Sequence, residues 1–228
     1  MADEHSIGFL LKEDDSGRTF ALLSTILVIG LAFHAYMFFV VKEDDISDKY
    51  AIPSFSIVFN ESAVQGSDSI LIGNGDTEVY TFSRELAGME SSNMMAKITF
   101  SITYEETSGQ IADPCDQVLV NIPPNGFVAD WQNTGNDLSD SSDDCEPMTL
   151  TVFVYPGYSG EMITEEGQTD DYWRAMWTNE TYGSGVLSLE ISVDTNQPPT
   201  SVLPGASDEN EEVNIEWDAT FFDVIIES

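Results

Sequence analysis

The feature that most constrains this chain is an uncharged apolar run of 22 residues, at positions 20–41. At ~1.5 Å per residue, a helix of this length spans the ~30 Å hydrocarbon core of a bilayer. A secretory signal typically has an apolar stretch of only about 7–15 residues, followed by a small-x-small cleavage site. Here bulky residues end the run, and its small-x-small candidate, Gly30-Leu31-Ala32, lies in the middle. The run therefore predicts a single transmembrane helix that contacts the lipid bilayer.

The flanking segments set the expected orientation of this helix. Two basic residues precede it and two follow it closely, so nearby positive charge gives no direction. Residues 42–228 contain both cysteines and two Asn-x-Ser/Thr sequons, which are features of the extracytoplasmic side. We expect residues 1–19 to be a short cytoplasmic tail in a single-pass cell-membrane protein. The part after the helix would lie outside, with Asn60 and Asn179 as glycosylation candidates.

The formal net charge of −34 limits the partners of the chain. Such a surface repels phosphate backbones, so it excludes nucleic acid as a partner. A hydrophobic content of 42% is too high for a disordered chain. Three interpretations of the acidic residues remain open: a solvated surface suited to salty water, divalent-cation sites, or a docking face for a basic partner.

Residues 96–104, AKITFSITY, alternate between apolar and polar side chains over nine positions. This pattern is typical of a strand with one buried face. Similar patterns predict strands at residues 55–59, 70–72, 79–82, 117–120, 149–155, 172–178, 186–193, 213–217 and 220–226. Roughly ten short strands, with no convincing helix after residue 41, predict a mainly β protein: an antiparallel β-sandwich of the jelly-roll or Ig-like type.

The predicted domain boundaries follow from these elements. Residues 42–52 would be a juxtamembrane linker, and residues 53–228 one extracytoplasmic β-sandwich domain. Residues 196–212 are rich in proline, serine and acid and predict a long loop. Trp173 and Trp177 share one face of the strand predicted around them. We expect them in the sandwich core rather than on a sugar-stacking platform, since aromatic side chains bury large apolar areas.

Cys115 and Cys145 are the two cysteines of the chain. An even count on the oxidising side of a membrane predicts a disulfide, which would stabilise the fold by up to ~3–4 kcal/mol. The loop that it closes contains Asp137, Asp140, Asp143 and Asp144, interleaved with serines. Calcium takes six to eight oxygen ligands, so this loop is a candidate Ca²⁺ site, with a solvated acidic loop as the alternative.

Several chemistries are excluded by residue type. Both histidines, His5 and His34, precede residue 42, so the predicted outer domain has none. A Ser-His-Asp triad, a Cys-His pair and a catalytic zinc site each need a histidine. Nucleotide-binding glycine motifs are also absent from the sequence. We expect no enzyme activity and no cofactor other than Ca²⁺.

Two short segments resemble known families. GSGVLSLEISVD, residues 183–194, looks like the Gly-x-Trp-x-Leu-x-Val-x-Asp strand of the jelly-roll domains that accompany secreted subtilisin-like proteases, with Val186 or Leu187 in place of the tryptophan. The resemblance implies a sandwich and no activity. Residues 16–33 are similar in outline to the start of a type IV pilin, although Leu22 stands where a bacterial pilin carries glutamate. That resemblance implies cleavage after Gly17 and a filament-forming helix.

Together these observations predict a membrane-anchored cell-envelope protein whose acidic outer β-sandwich serves binding or structure without catalysis. Its partner would be another protein or a surface polymer. Two alternatives remain: a type IV pilin-like filament or secretion subunit, and an accessory subunit of a membrane complex.

Overall fold

The computed structural model describes residues 14–43, 49, 51–88, 93–105, 114–196 and 209–228. The chain divides into two compact units, Met1–Ile52 and Pro53–Ser228. In the first unit, helix α1 (Asp14–Tyr36) continues into a π-helical turn, Met37–Val41. The helix begins six residues before the predicted apolar run, because helical hydrogen bonding does not require apolar side chains.

The second unit contains two antiparallel sheets. Their strands are β1 (Ser54–Gly73), β2 (Thr77–Phe82), β3 (Met94–Tyr104), β4 (Gln117–Asn121), β5 (Ser139–Ser142), β6 (Met148–Phe153), β7 (Ile163–Glu166), β8 (Leu187–Asp194) and β9 (Asn210–Glu227). The five-stranded sheet has the order β6-β3-β9-β1-β7, and the four-stranded sheet has the order β2-β8-β4-β5. The mainly β prediction is confirmed.

The pairing follows a nested pattern. The first strand pairs with the last, β2 with β8, β3 with β6, and β4 with β5. The pairs β1–β9 and β3–β6 lie in the five-stranded sheet, and the pairs β2–β8 and β4–β5 lie in the four-stranded sheet. This is the strand arrangement of a jelly roll. The jelly-roll alternative of the sequence prediction therefore matches the observed order.

The main core lies between the two sheets and is built from alternate residues of the strands. In β3, Ile98, Phe100 and Ile102 are fully buried, while the residues between them are partly exposed. They pack in one cluster with Leu189 and Ile191 of the four-stranded sheet. The predicted alternation is thus confirmed for residues 97–104. Ala96, which the pattern predicts on the same face as Ile98, packs instead in a separate hydrophobic cluster with Phe222.

The structure contradicts the strand predicted at residues 172–178 and the expectation of no helix after residue 41. Asp170–Trp177 form helix α2. Trp173 and Trp177 lie four residues apart, a spacing that shares one face of a helix as well as one face of a strand. Both side chains are buried, as expected.

Several predicted strand boundaries are also wrong. The strands predicted at 55–59 and 70–72 are parts of β1, and those at 213–217 and 220–226 are parts of β9, because these two strands pair without interruption from Ser56↔Glu227 to Gly73↔Asn210. β5 and β7 were not predicted. β9 also takes in the last three residues of the predicted loop 196–212, whose residues 197–208 lie outside the described ones. Most of the predicted tail and six of the eleven residues of the predicted linker also lie outside the described residues.

Candidate functional site

The buried side of the five-stranded sheet changes along its strands. In β9, Val213 to Phe221 alternate into the main core, toward the four-stranded sheet. The next residue, Phe222, is fully buried in a second cluster on the opposite face. Val224 and Ile226 pack against the same second cluster. One sheet therefore supports two cores, on opposite faces and at different positions along the strands.

β3, which pairs with β9, contains a β-bulge at the point where the buried face of the sheet changes. Met95 pairs with Phe221 and Lys97 with Thr220, so Ala96 is the extra residue. Met95 belongs to the main core, whereas Ala96 belongs to the second cluster. The extra residue shifts the alternation by one position, so Met95 and Ile98, three residues apart, both face the main core.

Helix α2 and the segment after β6 cover the second cluster. The Thr169 hydroxyl caps the helix by accepting from the Tyr172 amide at 3.2 Å. The Trp177 ring lies 4.8 Å from Phe59 and stacks on Tyr155 at 5.6 Å between ring centroids. These contacts close an aromatic core over the end of the sheet where β1 begins and β9 ends.

Tyrosine hydroxyls tie this cover to its surroundings. The Tyr155 hydroxyl donates to the Met176 carbonyl at 2.7 Å and accepts from the Asn179 amide at 2.9 Å. The Tyr158 hydroxyl donates to the Glu61 carboxylate. Burial raises the pKa of Tyr158, and its hydrogen bond to Glu61 raises it further. Burial and the hydrogen bond to Glu61 both favour the protonated phenol of Tyr158.

Beyond this cover, the same face carries short polar side chains in cross-strand rows. Asp218 of β9 lies opposite Gln65 of β1 and Thr99 of β3, and Thr99 lies opposite Thr151 of β6. Gln65 Nε2 donates to Asp218 Oδ2 at 2.6 Å, and the hydroxyls of Thr99 and Thr151 lie 3.3 Å apart. The next row consists of Thr149, Ser101, Glu216 and Ser67.

A groove of about 440 Å³, here called the polar groove, lies over these rows. Hydroxyl, amide and carboxylate groups line it, from Gln65, Ser67, Thr99, Ser101, Glu216 and Asp218. Such groups can hydrogen-bond a polar ligand that offers donors to the two carboxylates. Gly66 is also required here, since a Cβ at this position would overlap the indole of Trp217. Sequence reasoning missed the groove, although the polar positions of β3 formed one face of the predicted strand.

The structure joins Cys115 and Cys145 in the predicted disulfide. Tyr104, almost fully buried, links both ends of the closed loop: its hydroxyl donates to the Asp116 carbonyl at 2.8 Å and accepts from the Cys145 amide at 3.2 Å. Burial raises the pKa of Tyr104. The hydrogen bonds of Tyr104 were not predicted, because its place in the alternation indicated only a buried side chain.

The four aspartates of the calcium prediction do not gather around one point. Asp137 forms a backbone bridge with Thr151, and Asp140 lies exposed in β5, where its carboxylate accepts from the next amide. The Asp144 carboxylate accepts from Ser142 Oγ at 3.1 Å and from the Glu146 amide. Within the described residues, no group of three His, Cys, Asp or Glu side chains is arranged to hold a metal. Asp143 takes part in none of these hydrogen bonds. Calcium binding by this loop stays a prediction.

Both predicted glycosylation candidates are exposed. Asn60 lies in β1, and Asn179 follows α2. The Asn179 side-chain oxygen accepts from the Thr181 amide at 3.1 Å, which forms a compact turn at the sequon. Their glycosylation stays a prediction.

Among the described residues, one helical stretch, Gly17–Val41, is long and apolar enough to cross a membrane, with a mean hydropathy of 2.0 over its best window. Its large side chains are exposed, including Leu27 at 62% and Phe39 at 69%. A signal sequence near an N-terminus has the same character, so length and composition do not separate an anchor from a signal.

No protein-family model and no curated protein matches the sequence. Similar solved structures include the decameric BFDV capsid protein, with 9% identity, a TM-score of 0.35 and coverage of 73% of this chain and 99% of that chain. Mud crab tombus-like virus has 13% identity, a TM-score of 0.34 and coverage of 75% and 92%. Nora virus has 11% identity and a TM-score of 0.32; the match covers 75% of this chain but only 61% of the Nora virus chain. None of these likenesses bears on function.

Proposed function

We propose that this chain is a single-pass membrane protein of the cell envelope, with a non-catalytic β-sandwich outside the membrane. Residues 17–41 anchor the chain, and the sandwich binds another envelope component or serves as a structural element. The tail before the helix lies in the cytoplasm.

The observation that carries this proposal is the exposure of the apolar helix. Leu27, Ile29 and Phe39 all leave more than half of their surface uncovered. Burying an exposed leucine-sized side chain gains about 1.5–3 kcal/mol, so a helix of such residues strongly favours an apolar solvent. A bilayer provides that solvent over the length of this helix.

The composition of the sandwich supports binding or structure over catalysis. Residues 53–228 contain no histidine, and the two cysteines are joined in a disulfide. The polar groove offers Glu216 and Asp218 beside neutral hydrogen-bonding groups. This surface suits recognition of a donor-rich partner, and the net negative charge of the chain disfavours an anionic one.

Membrane extraction tests the anchor. The full chain should remain in the membrane fraction after washing with alkaline carbonate, and it should dissolve only in detergent. Release of the intact chain by carbonate would refute a spanning helix.

Intact-mass measurement separates the alternatives. The proposal predicts a mature chain that retains residues 1–19 ahead of the helix. A chain that begins at Arg18 would instead indicate pilin-type processing, and one that begins near Phe33 would indicate a cleaved signal and a released sandwich.

A further inference from the structure

The outermost strands of the two sheets are short, whereas β1, next to the edge strand β7, has 20 residues. β2, β5, β6 and β7 have only four to six residues each. β7 pairs with β1 only as far as Ile57, so β1 itself forms the sheet edge from Val58 to Gly73. No strand among the described residues pairs with that side of β1. At ~3.3 Å per residue, this open edge is about 50 Å long.

The open edge lacks the features that usually prevent pairing with another chain. Natural edge strands are protected by proline, lysine, bulges or shortness. Residues 58–73 contain no proline and no basic residue, and their pairing with β9 is continuous, without a bulge. After Glu61, which bonds to Tyr158, the edge carries a single charged residue, Asp68.

The free part of this edge, residues 62–72, complements itself in an antiparallel arrangement. Pairing two copies about Ser67 places Val64 opposite Ile70 of the second copy and Ala63 opposite its Leu71. Leu71, which is 64% exposed, would then be covered by an apolar neighbour. Asp68 would face Gly66 of the second copy, so no two carboxylates lie directly opposite each other.

We propose that β1 pairs antiparallel with β1 of a second copy of this chain, across a twofold axis at Ser67, and so joins the two five-stranded sheets into one. The two copies use the same residues, as a closed twofold interface requires. This pairing goes beyond the envelope function and holds whether or not residues 17–41 span a membrane. Because both copies carry a large negative charge, pairing should strengthen as salt screens their repulsion.

Site-directed disulfide formation in the full chain tests this pairing. At the axis, two Ser67→Cys residues would have Cα atoms ~4.5–5.5 Å apart, within the range of a disulfide. The native cysteines are already joined and do not compete. Ser139→Cys, exposed on the short edge strand β5, is the matched control.

In detergent micelles at high salt, mild oxidation should convert Ser67→Cys mainly to a linked dimer and leave Ser139→Cys monomeric. Adding Leu71→Asp to Ser67→Cys should reduce the dimer several-fold without lowering the unfolding midpoint, because Leu71 is exposed in the single chain. Equal dimer yields from Ser67→Cys and Ser139→Cys would overturn the proposal. A yield unchanged by Leu71→Asp would overturn it as well.

Discussion

Helix α1 and the β-sandwich differ in how much of their apolar surface they bury. The sandwich buries Phe100, Leu150 and Ile191 completely between its sheets. In α1, residues of the same kind, such as Leu23 and Ile29, remain about 60% exposed. The sandwich supplies its own apolar environment, while α1 requires one from elsewhere. A change in the sandwich core should therefore alter folding, and a change in α1 should alter membrane partition.

The most destabilising change should be one in the second core. Phe222→Ala removes a ring that contacts Phe59, Tyr155 and Tyr158. We expect a loss of about 3–5 kcal/mol in the free energy of unfolding, because the ring leaves a cavity. Urea unfolding measures it. Ile225→Ala, on the exposed face of the same strand, should cost below about 1 kcal/mol. Equal losses would show that α2 does not form a second core over this end of the sheet.

Cys115→Ser with Cys145→Ser should have the next largest effect. The disulfide closes a loop with a sequence separation of 30 residues. Freeing that loop in the unfolded chain should cost about 3–4 kcal/mol on the chain-entropy model. Unfolding of the native protein with and without reductant gives an independent value, which should match that of the double variant. No difference between the oxidised and reduced proteins would contradict the expected role of the bond.

Val28→Asp, in α1, should weaken membrane insertion without destabilising the sandwich. A carboxylate at the centre of a membrane helix costs about 2.5–3.5 kcal/mol of insertion free energy. The share of chain in the membrane fraction should fall, while the unfolding midpoint of the sandwich should stay unchanged. Val28→Leu is the control. A midpoint lowered by Val28→Asp would mean that α1 belongs to the folded core.

The smallest expected effect concerns alkaline pH. Burial raises the pKa values of four tyrosines: Tyr80, Tyr104, Tyr155 and Tyr158. The folded protein keeps these protons at a pH where the unfolded chain, with a pKa of about 10, loses them. Stability should thus be complete below about pH 10 and fall as pH rises further. Tyr158→Phe should make that fall shallower in thermal melts. A slope unchanged by Tyr158→Phe would contradict this role of the buried phenol.

The sequence revealed those elements whose side chains alternate against one core. β3 was predicted for this reason. The prediction broke β9 at residues 218–219, an aspartate and a small alanine, although Ala219 continues the alternation into the main core. The second core that buries Phe222 lies on a face that no local pattern indicates. β5 and β7 are short and polar, so their backbone pairing leaves no hydrophobic pattern.

Helix α2 was predictable from signals that the alternation of its tryptophans obscured. Thr169 is a favourable N-cap residue, and Asp170 and Asp171 suit the positive end of a helix dipole. The polar groove was not predictable in the same way, because it brings together β1, β3 and β9 from distant parts of the chain. The disulfide could be predicted from the even number of cysteines and the expected oxidising compartment alone.

Thiol labelling with a membrane-impermeant reagent reports directly on whether the chain is anchored with its sandwich outside. Two full-length variants each carry one added cysteine: Ser139→Cys in the sandwich and Ser6→Cys in the tail before α1. We expect that intact cells label Ser139→Cys, and that Ser6→Cys reacts only after the membrane is permeabilised. Labelling of Ser6→Cys alone in intact cells, or of neither variant, would contradict an anchored chain with its sandwich outside.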